Sequence, residues 1–232
     1  MNGKIKDIET MGSADGPGIR LVLFLAGCKL RCAYCHNPET WVMANYKKEI
    51  SPKEVLDTFN KYKIYYGENG GVTFSGGEPL LQSEFVLETV KLLKKNNVHV
   101  AIDTAGVADG YEEVLKFVDL VILDVKAVDE DEYKFITGRN MEDFNKFLNN
   151  CQQLGKKIWL RQVIVPGVND DEKHVLKLKE FASKIKNVER IELLPYHSMA
   201  ISKYKDLGIP YKLENTLDMD KDRCKQLEEL LK

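Results

Sequence analysis

Six short runs rich in Val, Ile, Leu and Phe constrain the fold of this chain more than any other feature. They lie at 20–25, 71–74, 98–103, 120–125, 157–165 and 190–194. Longer stretches at 52–65, 82–95, 110–117, 141–153, 171–185 and 221–231 read as helices. The apolar runs show little alternation, which suits parallel strands covered by outer helices. Ser51-Pro52-Lys53-Glu54 marks a helix start: Ser51 is the cap, Pro52 opens the first turn and Glu54 closes a capping box. Six strand–helix units in one direction form either a doubly wound open sheet or a barrel-like one. In both, chemistry gathers in the loops at the C-terminal ends of the strands.

The chain has 232 residues and no linker, low-complexity stretch or short-period repeat, so one domain over 1–232 is expected. A formal charge of −2, with Lys and Arg scattered, makes no electrostatic case for nucleic acid. No apolar run approaches the ~20 residues of a membrane span. The N-terminus lacks the apolar core of a signal peptide, so a cytoplasmic location is expected. The five cysteines are an odd number, which speaks against a disulfide framework. Cys151 and Cys224 fall in helical stretches and read as small buried hydrophobes.

The other three cysteines are packed into Cys28-Lys29-Leu30-Arg31-Cys32-Ala33-Tyr34-Cys35, directly after the first strand and Gly27. Three thiolates can hold three irons of a [4Fe–4S] cube and leave one corner open, whereas four-cysteine ligation mainly serves electron transfer. The rival is structural zinc, which takes four ligands, usually as two separated pairs. Here no second pair exists. Cys35 and His36 are adjacent and reach one ion with difficulty, although the distant His174 or His197 could in principle complete a Cys3His site.

Other chemistry-bearing residues recur at strand ends. Ser75-Gly76-Gly77-Glu78-Pro79 follows the second strand, and its glycines let backbone approach a ligand closely. Asp103-Thr104 closes the third strand, Asp124 and Lys126 flank the end of the fourth, and His197 follows the sixth. Arg161 lies inside the fifth strand, where an unpaired charge is costly. Asp15-Gly16-Pro17-Gly18 is a tight-turn sequence just before the first strand.

These residues resemble the radical S-adenosylmethionine superfamily, whose cluster motif is Cys-x3-Cys-x2-Cys with an aromatic, here Tyr34, before the last cysteine. DGPGIR, GC-x3-C-x-YCHNP, TFSGGEPL, Asp103-Thr104, LDVK, RQVIVPGVND and IELLPYH resemble its glycyl-radical-enzyme activating family, over nearly the whole chain. Many activators carry an inserted ferredoxin-like domain with further cysteines. Its absence here resembles the type that serves pyruvate formate-lyase. Anaerobic ribonucleotide reductase activators also lack the insert, but they are typically shorter and are not expected to share the IELLPYH end.

The resemblance implies a partial (β/α)6 TIM-like barrel, parallel strands with outer helices. It implies a [4Fe–4S] cluster on Cys28, Cys32 and Cys35, with S-adenosylmethionine chelating the fourth iron and cleaved to a 5′-deoxyadenosyl radical. Gly76, Gly77 and Glu78 then pair through their backbone with the methionyl amino group, aided by Asp103. Lys126 and His197 face its carboxylate and ribose, and Tyr34, His36 and Asn37 border the adenine. Asp103, Thr104, Asp124 and the backbone near Ile122 resemble a Na+ or K+ site beside the cofactor. Asp15, His36 and Arg161 resemble residues that grip the partner's glycine loop. The implied partners are pyruvate formate-lyase and a flavodoxin or ferredoxin reductant, with the activator itself a monomer. The alternatives are an activator of another glycyl-radical enzyme, such as anaerobic ribonucleotide reductase, or a zinc-stabilised binding module.

Overall fold

A computed structural model describes residues 1–232. Its strands are β1 (Gly3–Gly12), β2 (Arg20–Leu25), β3 (Lys48–Ile50), β4 (Gly71–Gly76), β5 (His99–Thr104), β6 (Leu120–Asp124), β7 (Lys157–Ile164) and β8 (Val188–Pro195). All eight join one sheet in the order β3-β1-β2-β4-β5-β6-β7-β8. The six predicted strands, β2 and β4 to β8, run parallel in chain order. β1 pairs antiparallel with β2 and with β3, and β8 stays unpaired on its far side, so the sheet is unclosed. The architecture is the expected partial barrel, extended by two strands that the apolar pattern does not reveal.

The helices are α1 (Pro52–Tyr66), α2 (Ser83–Lys95), α3 (Glu112–Phe117), α4 (Glu130–Thr137), α5 (Glu142–Gln153), α6 (Glu172–Ser183), α7 (Ile201–Leu207) and α8 (Lys221–Glu229). Ser51 and Glu54 form the predicted capping box on α1: the Glu54 N–H donates to Ser51 Oγ, and the Ser51 N–H donates to Glu54 Oε2 at 2.8 Å. α4 and α7 are additions to the sequence reading. Asp129 caps the start of α4 by accepting from the Glu132 N–H at 3.0 Å, and Gly138 ends it in the left-handed region.

The two faces of the sheet differ sharply. Leu21, Leu23, Val72, Phe74, Val100, Ile102, Val121, Leu123, Ile158 and Leu160 point outward into a core of 53 buried residues shared with the helices. On the inner face the buried apolar cluster is small, Ala101, Leu120 and Ile122 with Trp159 against it, and Phe24, Val163 and Leu194 add apolar wall to the cavity. Above and around these lie Ser75, Asp103, Asp124, Arg161 and Glu192, which line a cavity. The strands therefore do alternate, apolar outward and polar inward. Barrel interiors of this kind are usually packed with branched aliphatics, so a polar interior marks a site. Cys151 and Cys224 are buried and unpaired, as their helical setting suggests. No helix is long and apolar enough to cross a membrane.

Candidate active site

The loop leaving β2 carries Cys28, Cys32 and Cys35, and its backbone is held from two sides. The Gly27 and Cys28 N–H groups donate to the Thr40 and Trp41 carbonyls at 2.7 and 3.1 Å. The Arg31 and Ala33 N–H groups donate to the Thr137 and Ile136 carbonyls at 3.1 and 2.7 Å. Those are last-turn carbonyls of α4, which have no partner inside their own helix. The end of α4 thus serves as a mould for the cysteine loop.

All three thiols line one cavity of about 480 Å³, and no other cysteine does. Cofactor pockets run to several hundred Å³. The Leu30 N–H is directed at the Cys28 sulfur, and the Asn37 N–H and Trp41 indole N–H at the Cys35 sulfur. Burial pushes the Cys28 thiol up to about 11 and Cys32 up to about 12, and raises Cys35 as well. The bare thiols therefore keep their protons at neutral pH, and a metal must displace them to bind. The Lys126 ammonium, 5.2 Å from the centre of the Tyr34 ring, opposes the rise at all three cysteines. Nowhere do three or more His, Cys, Asp or Glu side chains converge as they would on one metal ion. Three thiols that each take a different iron of a cube need no such convergence.

The glycine loop after β4 packs backbone to backbone against the cysteine loop. Gly76 sits at φ 110°, in the region that favours glycine. A Cβ on Gly77 would collide with the Gly27 carbonyl oxygen. Glu78 departs from the expectation that its backbone faces a ligand. Its N–H donates to Gly27 O at 2.7 Å and its carbonyl accepts from the Leu81 N–H at 3.1 Å, so both groups are used. The side chain is buried and lies off the cavity wall. Gly76 and Gly77 line the cavity, and Glu78 holds them there.

At the ends of β5 and β6, Asp103, Thr104 and Asp124 line the same cavity. Asp103 Oδ2 accepts from Ser75 Oγ at 2.8 Å. Burial pushes the Asp103 carboxyl up to about 6, with Arg161 opposing and Asp124 adding to the rise. Asp124 Oδ2 accepts from Lys126 Nζ, while Asp124 Oδ1 is buried without a partner. Ile122 does not reach the cavity wall; its side chain packs with Ala101 and Leu120.

Deeper in the barrel, Ser13, Ala14, Asp15 and Gly16 form part of the cavity wall. Thr73 Oγ1 donates to the Asp15 carbonyl at 2.7 Å. Arg161 Nε donates to Glu192 Oε2 at 2.8 Å and Arg161 Nη2 donates to the Ala14 carbonyl. The charge inside β7 is thus paired, and it braces the Asp15 turn against β8. Burial raises the Asp15 carboxyl against the pull of Arg161 and Arg20.

His36 and Asn37 line the cavity, but His197 does not. His197 stacks on His36 with ring centres 3.9 Å apart and planes 12° from parallel. His36 Nε2 donates to the His197 carbonyl at 3.0 Å, which leaves Nδ1 as the acceptor nitrogen in a neutral ring. Burial lowers His36 below the ordinary imidazole value, so the neutral ring is favoured. His197 thus lies behind His36, off the cavity wall.

Sequence reasoning missed several supporting residues. Arg20 is fully buried and donates to Thr73 Oγ1 at 2.5 Å, Pro17 O at 3.0 Å and Val72 O at 2.8 Å, fixing the turn before β2. Lys203 of α7 donates to His36 O, Asn37 Oδ1 and Glu39 Oε1 at 3.0, 2.7 and 2.9 Å. Glu192 was findable: a charge buried in β7 demands a partner on the neighbouring strand. Lys203 carried no such signal.

A sequence model of the Radical SAM superfamily matches residues 22–178. The pyruvate formate-lyase-activating enzyme of Clostridium pasteurianum is 50% identical over 232 residues, covering 99% of this chain and 97% of that protein. The chain belongs to the pyruvate formate-lyase-activating family of radical SAM proteins. A solved domain of the pyruvate-formate lyase-activating enzyme from Bacteroides vulgatus superposes on this radical SAM fold with a TM-score of 0.56 at 26% identity, covering 70% of this chain and 92% of that one. A radical SAM methyltransferase from Sphaerobacter thermophilus shares the fold alone, with a TM-score of 0.63 at 14% identity, covering 91% of this chain and 63% of that one.

Membership of this radical SAM family implies a [4Fe–4S] cluster and S-adenosylmethionine. The residues fit both. Three thiols and no fourth line the cavity, backbone of the glycine loop borders it, and the unpartnered Asp124 Oδ1 is a polar atom still wanting a contact.

Proposed function

We propose that this protein activates pyruvate formate-lyase by removing a hydrogen from a glycine Cα of that enzyme. The curated relatives bear that activity in their name. One observation carries the reading: a single cavity joins the three thiols and the glycine loop, at the strand ends, to Asp15 and Arg161 deeper in the barrel. Cofactor and partner backbone can therefore meet in one shared space.

When bound together, the cluster and S-adenosylmethionine supply a 5′-deoxyadenosyl radical by reductive cleavage of the S–C5′ bond. The chain's residues position these groups and keep water away. Cys28, Cys32 and Cys35 hold three irons, and the incomplete donor set leaves room for the methionyl amino and carboxylate groups. Gly76, Gly77 and Asp103 receive the ammonium, and Lys126 faces the carboxylate. Tyr34, His36 and Asn37 border the adenine, with His197 and Lys203 bracing them. Asp103, Thr104, Asp124 and the Ile122 carbonyl hold Na+ or K+, and the free Asp124 Oδ1 supports this, because hard oxygen donors suit such ions. Asp15, His36 and Arg161 guide the partner's glycine loop. The protein works as one unit over 1–232, a cytoplasmic monomer reduced by a flavodoxin or ferredoxin.

The test is anaerobic. The reconstituted protein, S-adenosylmethionine and a reductant are mixed with pyruvate formate-lyase, and the glycyl radical is sought by electron paramagnetic resonance. The radical signal is expected with the parent protein and not with Cys32→Ala, which should also lose iron–sulfur absorption. No signal with a fully loaded parent would move the reading to another glycyl-radical partner.

A further inference from the structure

Helix α7 is a second support for the cysteine loop, and it brings a buried hydroxyl to the sulfurs. Lys203 anchors α7 on His36, Asn37 and Glu39, immediately after Cys35. The next residue, Tyr204, turns inward and is only 3% exposed. Its ring meets Trp41 edge-on at 5.8 Å and Tyr211 at 4.6 Å. Trp41 lines the cavity beside Cys35 and directs its indole N–H at the Cys35 sulfur.

The Tyr204 hydroxyl is buried and has no hydrogen-bond partner. By contrast, the Tyr211 hydroxyl in the same aromatic group is paired with the Tyr196 hydroxyl at 3.0 Å. A buried phenol O–H normally finds an acceptor; the Tyr34, Tyr66 and Tyr133 hydroxyls are also unpartnered, and of these four Tyr204 is the one beside the Cys35 sulfur. Cys32 and Glu39 are also near it.

We propose that the Tyr204 hydroxyl donates a hydrogen bond to the Cys35 thiolate when the cluster is bound, and thereby raises the cluster's reduction potential. The physics is general. A donor aimed at a ligating sulfur stabilises the more negative, reduced cluster more than the oxidised one. Trp41 and Tyr204 approach the same sulfur, one from the cysteine loop and one from α7. Tyr204 is a positioning residue in this scheme, acting on the cluster through Cys35. The inference rests on the cluster reading of the cysteine triplet.

The experiment compares the parent with Tyr204→Phe and Tyr211→Phe, each reconstituted anaerobically. Iron and sulfide are counted first. A parent without about four of each per chain defeats the cluster reading itself. The midpoint potential is then measured by a mediated titration followed by electron paramagnetic resonance. Tyr204→Phe removes one unpaired oxygen and keeps the packing, so it should hold the same iron. At fixed applied potential its ratio of reduced to oxidised cluster should fall about tenfold, a downward shift of about 59 mV for a one-electron couple. Tyr211→Phe should leave the midpoint unmoved. An unchanged midpoint in Tyr204→Phe overturns the proposal, as do equal shifts in both variants, which would reflect general polarity. Loss of iron from Tyr204→Phe alone also overturns it, because the hydroxyl would then be structural.

Discussion

Thr104 Oγ1 donates a 2.7 Å hydrogen bond to Glu78 Oε1, tying the loop after β4 to the end of β5. The same carboxylate accepts from the Leu80 N–H at 3.2 Å and the Ala105 N–H at 3.1 Å. Thr104 Oγ1 in turn accepts from the Gly106 N–H at 2.9 Å. Burial raises the Glu78 carboxyl, and the Thr104, Leu80 and Ala105 donors oppose that rise. The acidic residue of the Ser75-Gly76-Gly77-Glu78 loop is therefore a clamp between two strand ends, and the glycines it holds do the facing.

Glu78→Ala leaves three buried donors without an acceptor. Each orphaned buried donor costs about 1–3 kcal/mol, and at the lower end of that range for all three the total loss is about 3 kcal/mol. In a chain of this size that lowers the melting temperature by roughly 6–12 °C. Glu78→Gln keeps one acceptor and should fall between. Thermal melts of the iron-free proteins decide it, and an Ala variant as stable as the parent would refute the clamp.

Asp103 makes stability depend on pH. Its carboxyl titrates at about 6 in the fold, against about 3.9 in an unfolded chain. Between these values the folded state binds more protons than the unfolded one, so stability falls as pH rises through about 4 to 6. The shift and the partial exposure of the group suggest about 2 kcal/mol across that window. Asp103→Asn has no such titration. Urea melts of the iron-free proteins should therefore show the variant gaining about 2 kcal/mol on the parent between pH 4 and pH 7. A constant difference would mean that Asp103 titrates normally.

The sequence announces the outer half of this fold more clearly than the inner half. The six parallel strands stand out because Leu21, Val72, Ile102, Val121 and Leu160 supply an apolar outer face. The inward residues Ser75, Asp103, Asp124, Arg161 and Glu192 look like unrelated polar residues until parallel pairing sets them side by side. β1 is hidden because Lys4, Lys6, Asp7 and Glu9 give it a polar edge; pairing with β2 makes it a strand. α4 and α7 are only 8 and 7 residues long, too short for a clear helical period. Within the site, the cysteine triplet is legible because its spacing is local. The supporting roles of Glu78, His197 and Lys203 are not, because each depends on a contact with another segment. Lys203 lies 167 residues from His36.

Arg161→Lys tests whether Arg161 serves the partner or the cofactor. Arg161 holds Glu192 with Nε and the Ala14 carbonyl with Nη2. Lysine keeps the charge and loses the planar fork, so it cannot brace both groups at once. Activation of pyruvate formate-lyase should drop at least about tenfold, equivalent to about 1.4 kcal/mol. Reductive cleavage of S-adenosylmethionine, assayed without the partner, should stay near the parent rate. Equal loss of both would place Arg161 in support of the cofactor.

Gly77→Ala tests whether the glycine loop must lie against the cysteine loop. Gly77 does not need a positive φ, so the backbone itself accepts alanine. The obstacle is purely steric: the added Cβ would overlap the Gly27 carbonyl oxygen, with the Gly27 carbonyl carbon at 2.8 Å and the Cys28 Cβ at 3.3 Å beyond it. None is a flexible side-chain end, so the two loops must separate. That breaks the 2.9 Å bond from the Gly77 N–H to Leu25 O and the 2.7 Å bond from the Glu78 N–H to Gly27 O. Overpacking of this kind costs about 1–3 kcal/mol. It should also weaken S-adenosylmethionine binding by about tenfold or more, because a displacement near 1 Å at a positioned group has effects of that size. Equilibrium binding of the cofactor to the reconstituted variant gives the answer, and parent-like affinity would show that the close approach of the two loops is incidental.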